Sequence, residues 1–455
     1  MANEMHDNRL GTEPIIPLLF KLAIPSILSM FIQSLYNVVD SIFVSRISEE
    51  ALAALSLAFP IQMVLIAVAV GTGVGTSSLI SRLLGGGKED RAHNAAGHVL
   101  LLALVYGAIA AVVGIFFPGR LIGLFTDDLV LIDYGARYIG IILMGSMAMF
   151  VPMIANNILR GEGNTFIPMV TMLIGSILNI ILDPLLIFGY GFFPEMGIEG
   201  AALATVLSRV MSGAFIVFML FRGNNQVRVR LKGFKLDLSI IREIYQVGFP
   251  AVVMQVLVSV MVGGINIILA GYSATAIAAM GIYFRLQSFV FMPVFGLNQG
   301  YMPIIGYNFG NNNSGRMKKT MKAGFMVGFA FTLIGFIIFQ VFPRHLIRMF
   351  GSSPELLEIG VKALRTISLA FPIIGPAIVG ATTFQAVGKG FPSLILSFLR
   401  QIIILLPLAY IFGRIGGLDM IWYAFPISEA VAGVFMVVWL RSTLKSVFNI
   451  MERDV

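Results

Sequence analysis

Two aspartates sit where a carboxylate needs a reason to be. Asp40 lies in QSLYNVVDSIF and Asp183 in SILNIILDPLLIFGY, each inside a long apolar run. Gln33, Tyr36, Asn37 and Asp40 follow at i, i+3, i+4 and i+7, which places all four on one helical face. Ser176, Asn179 and Asp183 form a second stripe, and Pro184 directly after it interrupts the backbone ladder, leaving carbonyls to help ligate a cation. Polar stripes of this kind face protein or water rather than lipid. A carboxyl in low dielectric favours its neutral form, so proton uptake is one chemistry for the pair. Sharing one Na⁺ among Asp40, Asn179 and Asp183 through oxygen ligands is another. Plain hydrogen bonding between helices is the third.

Other polar residues could complete a pocket in the first half: Tyr138, Asn156, Asn157, Thr205 and Ser208. In the second half Gln255, Asn266, Asn298, Gln299 and Asn308 are polar but uncharged. Arg285, Arg400 and Glu429 are placed nearer expected helix ends, with Arg285 able to point into a cavity. Pro25 in the first helix of the first half removes a backbone hydrogen bond, so it is read as a hinge or as a fixed kink. There is no cysteine, which excludes disulfides, thiolate metal sites and cysteine nucleophiles. The four histidines make no metal-ligand spacing, and GGGKED at 85–90 lacks the upstream Gly and the Ser/Thr of a phosphate loop. No convergent nucleophile, base or metal set emerges, so no enzyme and no organic cofactor is expected.

The elements that must hold these residues are membrane helices. Hydrophobic residues make up 58% of the 455 and charged residues 12%, against roughly 45–50% and about 25% in soluble domains. Apolar stretches of spanning length, about 20 residues, are expected near 15–44, 51–81, 93–117, 131–158, 165–189 and 198–221. A second set is expected near 240–271, 276–306, 322–342, 356–386, 391–413 and 420–441. Residues 1–14 are polar, and the first apolar stretch is too long for a signal-peptide core, so it is expected to stay in the membrane. The expected organisation is a cytoplasmic tail (1–14), a six-helix lobe (15–221), a cytoplasmic linker (222–242), a second six-helix lobe (243–441) and a cytoplasmic tail (442–455).

The two sets are a repeat. ALAALSLAFPIQ at 51–62 lies over AIAAMGIYFRLQ at 276–287, an offset of 225 that also pairs Pro25 with Pro250, Gly71 with Gly296 and Gly75 with Gly300. An even number of spans per half gives both halves the same orientation, related by a pseudo-twofold axis along the membrane normal. Position 265, the counterpart of Asp40, is Ile265, and Leu406 precedes Pro407 where Asp183 precedes Pro184. The acids are therefore unrepeated, and the halves should differ in role. Nineteen Lys and Arg fall in tails and loops on one side and five on the other. By the positive-inside rule both termini are then cytoplasmic, in the cell or inner membrane. The net charge of +8 is topology signal in short loops with no continuous basic face, which argues against a nucleic-acid partner.

The chain resembles the multidrug and toxic compound extrusion (MATE) transporters over essentially its whole length. The resemblance rests on YNVVDSIFVSRI, LRGEGNTFIP, NIILDPLLIFGYG and GIEGAALATVLSR, with QAVGKGFPS as a second-half echo. It implies cation-coupled export of organic, often cationic and amphipathic compounds. It is nearest the prokaryotic branch with its acidic pair in the N-terminal half, matching Asp40 and Asp183 with Asn179 and Thr205. The expected protein is thus an all-α membrane antiporter, a monomer, coupled to H⁺ or Na⁺ and working by alternating access between two lobes. Its partners are small organic substrates and membrane lipid. Gln33, Tyr36, Tyr138, Asn156, Asn157, Gln255 and Arg285 are the cavity candidates, and Asn37 joins the cation-coupling set. The alternative is a flippase for a lipid-linked saccharide, whose pyrophosphate would need more cavity cations than Arg285 and Arg400 supply.

Overall fold

The computed structural model describes residues 9–191, 193–222, 225–229 and 234–451, without the side chains of Asn37, Val38, Ser41 and Ser45. Among them every regular element is helical. In chain order these are α1 (Arg9–Thr12), α2 (Ile15–Ser45), α3 (Glu49–Gly85), α4 (Glu89–Phe116), α5 (Pro118–Ile122), α6 (Leu129–Met144), α7 (Ser146–Gly161), α8 (Phe166–Ile187) and α9 (Gly197–Phe221). Then come α10 (Leu238–Ala270), α11 (Ala274–Gly310), α12 (Ser314–Val341), α13 (Pro343–Arg348), α14 (Pro354–Ser368), α15 (Phe371–Ala386), α16 (Gly390–Phe398), a π-helical segment (Leu399–Leu405), α17 (Leu406–Ile421) and α18 (Ala424–Met451). Ten helices among the described residues are long and apolar enough to cross a membrane, or twelve when the two bent pairs α6–α7 and α14–α15 each count as one span.

The offset of 225 holds in three dimensions. α3 and α11 are both 37 residues long and begin after Ser48 and Ser273, whose hydroxyls accept from the Ala51 and Ala276 amides. Such caps contribute about 1 kcal/mol each. The bent pairs turn by 49° and 50°, at Gly145 and at Leu369–Ala370, positions the apolar pattern read as single continuous spans. At 37 residues α3 and α11 are each about 55 Å long, so they outrun a hydrocarbon core of about 30 Å.

The chain divides into two compact units: Met1–Ile27 with Phe249–Val455, and Leu28–Gly248. The division falls inside α2 and α10, beside Pro25 and Pro250. Glycines explain where the first turns of these helices go. In the first unit a Cβ on Gly300 would stand 2.8 Å from Leu22 Cβ, and one on Gly296 2.8 Å from Ile27 Cα, so only glycine lets α2 lie this close to α11. In the second unit the backbone of α10 at Ile244 and Gly248 lies equally close to Gly75 and Gly71 of α3. Small residues allow this approach where lipid supplies no hydrophobic drive between helices.

The two polar ends are also built in. In the first unit Leu10 is buried, and its carbonyl accepts from Asn308 Nδ2 and Arg316 Nε, each at 3.1 Å. The expected N-terminal tail is therefore docked from Arg9 onward. α18 runs to Met451, well into the expected C-terminal tail. In the second unit the described part of the linker is tied to α4 and α7: the Arg228 amide donates to His93 Nδ1 (3.1 Å), the Asp237 amide to His98 Nε2 (2.7 Å) and the Val227 amide to Glu162 Oε2 (2.9 Å). Ser239 bonds the Asp237 carboxylate and holds it below the usual range.

Candidate cation-coupling site

The site grows out of the antiparallel contact of α8 and α9 in the second unit. Gly200 lets the α8 backbone at Leu186 come too close for any Cβ, and Gly175 leaves room for the Ser212 hydroxyl. With the helices so near, short polar side chains meet. Asn179 Nδ2 donates to Asp183 Oδ1 at 3.2 Å and to Thr205 Oγ1 at 3.4 Å. Asp183 is fully buried, and Asn179 and Thr205 nearly so. Pro184 lies within α8 and deprives the Ile180 carbonyl of its amide donor.

α2 brings the second acid. The Asp40 and Asp183 carboxyls lie within hydrogen-bonding reach of one another. One turn earlier, Tyr36 lies near the Arg209 side chain of α9. From α6, Tyr138 is 3% exposed and its hydroxyl accepts from Gln62 Nε2 of α3 at 3.5 Å. Two ionised carboxylates are acceptors only, so their contact calls for a proton or a cation between them. The rest of the site agrees: Asn179 Oδ1 and Asp183 Oδ2 are buried and have no donor. Carboxylate and amide oxygens are the donor set of a hard cation. The residues present thus suit H⁺ or Na⁺ as cargo.

Of the expected site residues, Asp40, Asp183, Asn179, Thr205, Tyr36 and Tyr138 are brought together. Gln33 is half-buried on α2 and Asn156 is buried on α7 with Oδ1 unpartnered. Asn157 donates to its own helix at the Met153 carbonyl (2.8 Å) and fills the space left by Gly73, which makes it part of the α3–α7 seam. Gln255 and Arg285 are exposed on α10 and α11 of the first unit, and Pro25 also belongs to that unit. The Asn37 side chain lies outside the described residues. Arg209 and Gln62 were missed by the sequence reading. Arg209 carried a signal, since a charge inside an apolar span marks function by default. Arg400 and Glu429, expected near helix ends, instead pair inside spans at 3.0 Å, where Arg400 lies in the π-helical segment.

Comparison with known proteins agrees with this layout. The MatE family model matches residues 25–185 and again 250–411, one match in each half. The chain is 28% identical to an FAD transporter of Shewanella oneidensis, covering 92% of this chain and 93% of that one. It is 27% identical to the multidrug export protein MepA of Staphylococcus haemolyticus, covering 94% and 95%. Crystal structures of a MATE in straight and in bent conformations superpose with a TM-score of 0.90, at 28% and 27% identity. They cover 98% and 99% of this chain and 99% and 100% of theirs. An all-helical, multi-span membrane chain with a doubled pattern, matched by one family model in both halves, belongs to the MatE family of multidrug and toxic compound extrusion transporters and is not an enzyme.

Proposed function

We propose that the protein exports organic compounds, many of them cationic and amphipathic, in exchange for H⁺ or Na⁺ taken up at Asp40 and Asp183. The observation that carries this is the pair of carboxyls in contact deep in apolar helices, with Asn179 Oδ1 and Asp183 Oδ2 left without donors. A returning cation neutralises that contact, and α2, which holds Asp40, has Pro25 as a point of bending. Alternating access between two six-helix lobes in the plasma membrane, with both termini cytoplasmic, fits the repeat and the loop charges. The driving force suffices: about 2.3 kcal/mol per charge per 100 mV and about 1.4 kcal/mol per tenfold gradient.

Reconstituted vesicles test the reading. A pH gradient and a sodium gradient are imposed separately, and efflux of a cationic dye is followed. Gradient-driven efflux in wild type and its loss in Asp40→Asn are expected; undiminished efflux in the variant sinks the coupling claim. The kinship to an FAD transporter favours a second substrate reading, an anionic dinucleotide, and the same vesicles loaded with FAD decide between them.

A further inference from the structure

Two buried histidines of α4 have no part in the acid site, and both are tied to the described part of the linker. His93 is 6% exposed and accepts the Arg228 amide at Nδ1 (3.1 Å). His98 is fully buried and accepts the Asp237 amide at Nε2 (2.7 Å), while its Nδ1 proton goes to the Asn94 carbonyl (2.9 Å). A ring nitrogen accepts only while it carries no proton, and an imidazolium has two donors and no acceptor. Both ties therefore exist in the neutral rings alone. The repeat supplies a contrast. At the offset of 225, Arg91 at the start of α4 corresponds to Arg316 at the start of α12. Arg91 bonds Ser239 Oγ (3.1 Å) and Glu243 Oε1 (2.6 Å) at the start of α10. Arg316 bonds the Leu10 (3.1 Å) and Glu13 carbonyls ahead of α2. His93 and His98, however, correspond to Lys318 and Ala323. The N-terminal segment is held by Asn308 and Arg316, neither of which titrates near neutrality.

We propose that His93 and His98 form a pH-sensitive clasp, which docks the linker on α4 while both rings are neutral and releases it when they are protonated. A proton on His98 Nε2 sets a donor against the Asp237 amide, and one on His93 Nδ1 does the same at Arg228. Docking is thus complete above the range in which histidine changes charge, about pH 6–7, and is lost as the pH falls through it. The carboxylates of the packed elements are already engaged. Asp237 of the linker accepts the Ser239 amide (2.8 Å), Glu162 of α7 accepts the Val227 amide (2.9 Å), and Glu243 of α10 pairs with Arg91. The guanidinium of Arg82 on α3 bonds its own helix at the Ser78 carbonyl, and that of Arg160 on α7 bonds Asn157. On α4 itself Glu89 and Asp90, both exposed, lie a turn before His93 and accommodate a positive ring. Arg228 and Lys235 of the linker carry the same sign as the protonated rings and are pushed outward. The start of α10 stays in place, because Arg91 and the seats of Ile244 and Gly248 on α3 do not change in this range. On the export reading, H⁺ taken up in each cycle emerges on the face that carries the linker, so the clasp opens as that face acidifies. The clasp itself does not rest on that reading.

Hydrogen exchange on the full-length protein in detergent reads the clasp, at about pH 7.5 and about pH 5.5 and relative to the intrinsic rates. In wild type, protection of the Arg228 and Asp237 amides is expected to fall about tenfold or more at the lower pH. Peptides covering residues 9–18 and 240–248 should keep theirs. His93→Asn with His98→Gln puts an amide oxygen where each accepting nitrogen stands and cannot titrate, so its linker should stay protected at both pH values. A wild-type linker equally protected at both, or the same loss in the double variant, overturns the proposal. So does a parallel loss over residues 9–18, which marks general loosening in acid. Where the double variant does not fold, carbon-13 spectra of the wild-type histidine rings decide. His93 and His98 must gain charge over the range in which the linker loses protection, and rings still neutral after release overturn the clasp. The expected step in exchange, combined with no gradient-driven efflux in vesicles, would overturn the export reading and leave the clasp in place.

Discussion

Asn179 donates to Asp183 across one turn of α8, at 3.2 Å, while the same nitrogen reaches Thr205 on α9 at 3.4 Å. One amide thus ties the deeper acid of the pair to a second helix, and its Oδ1 accepts no hydrogen bond. Asn179→Leu should remove the donor and that oxygen together. A lost neutral hydrogen bond costs about 1 kcal/mol, so the variant should stay folded in detergent by thermal shift. Gradient-driven efflux should nevertheless fall steeply; wild-type efflux would show that Asn179 is only packing.

The glycine seats make a sharper prediction about stability. A Cβ on Gly75 would collide with the Ile244 carbonyl of α10, a backbone atom that cannot step aside cheaply. Gly75→Ala should therefore destabilise by about 2 kcal/mol or more, as overpacking in a tight core does. Gly263, in the interior of the same α10, faces open space. Gly263→Ala should be neutral or gain up to about 1 kcal/mol from helix propensity. Thermal unfolding of the two variants side by side reads the difference.

His98 should anchor the linker. Its Nε2 accepts from the Asp237 amide and its Nδ1 lies 2.9 Å from the Asn94 carbonyl, which fixes the neutral ring with its proton on Nδ1. Asn94 adds a bond to the Lys235 carbonyl at 3.3 Å. His98→Ala removes the acceptor of a part-buried amide, at about 1 kcal/mol of local stability. Limited proteolysis should then cut at the basic residues near 228–235 faster than in wild type. Unchanged cutting would mean the linker is held by other contacts.

The Arg400–Glu429 pair, 25% and 13% exposed at the side chains, should behave as a partly buried ion pair. Glu429→Gln strands a guanidinium inside a span and is expected to destabilise by about 1–3 kcal/mol. The double replacement Arg400→Met with Glu429→Leu should recover most of that. A double-mutant cycle in detergent gives the coupling, and additive losses would show that the pair makes no interaction of its own.

The sequence by itself determined the helices, their membrane setting, the repeat and the identity of the two acids. Each of these is written in local hydropathy, in residue type or in a constant spacing, and spans of about 20 apolar residues leave few alternatives. The starts of α3 and α11 fall two residues before the expected ones, where Ser48 and Ser273 cap them, whereas α18 runs to Met451, ten residues past its expected end. Only the tertiary structure decided which faces meet. Periodicity shows that Gln33, Tyr36 and Asp40 share a face, but not that Asp183 lies opposite it. It shows that Gly71 and Gly75 recur as Gly296 and Gly300, but not that they seat the first turns of α10 and α2. The reason is physical: backbone approach within a bundle is set by pairs of residues distant in the chain, and no local pattern records the partner.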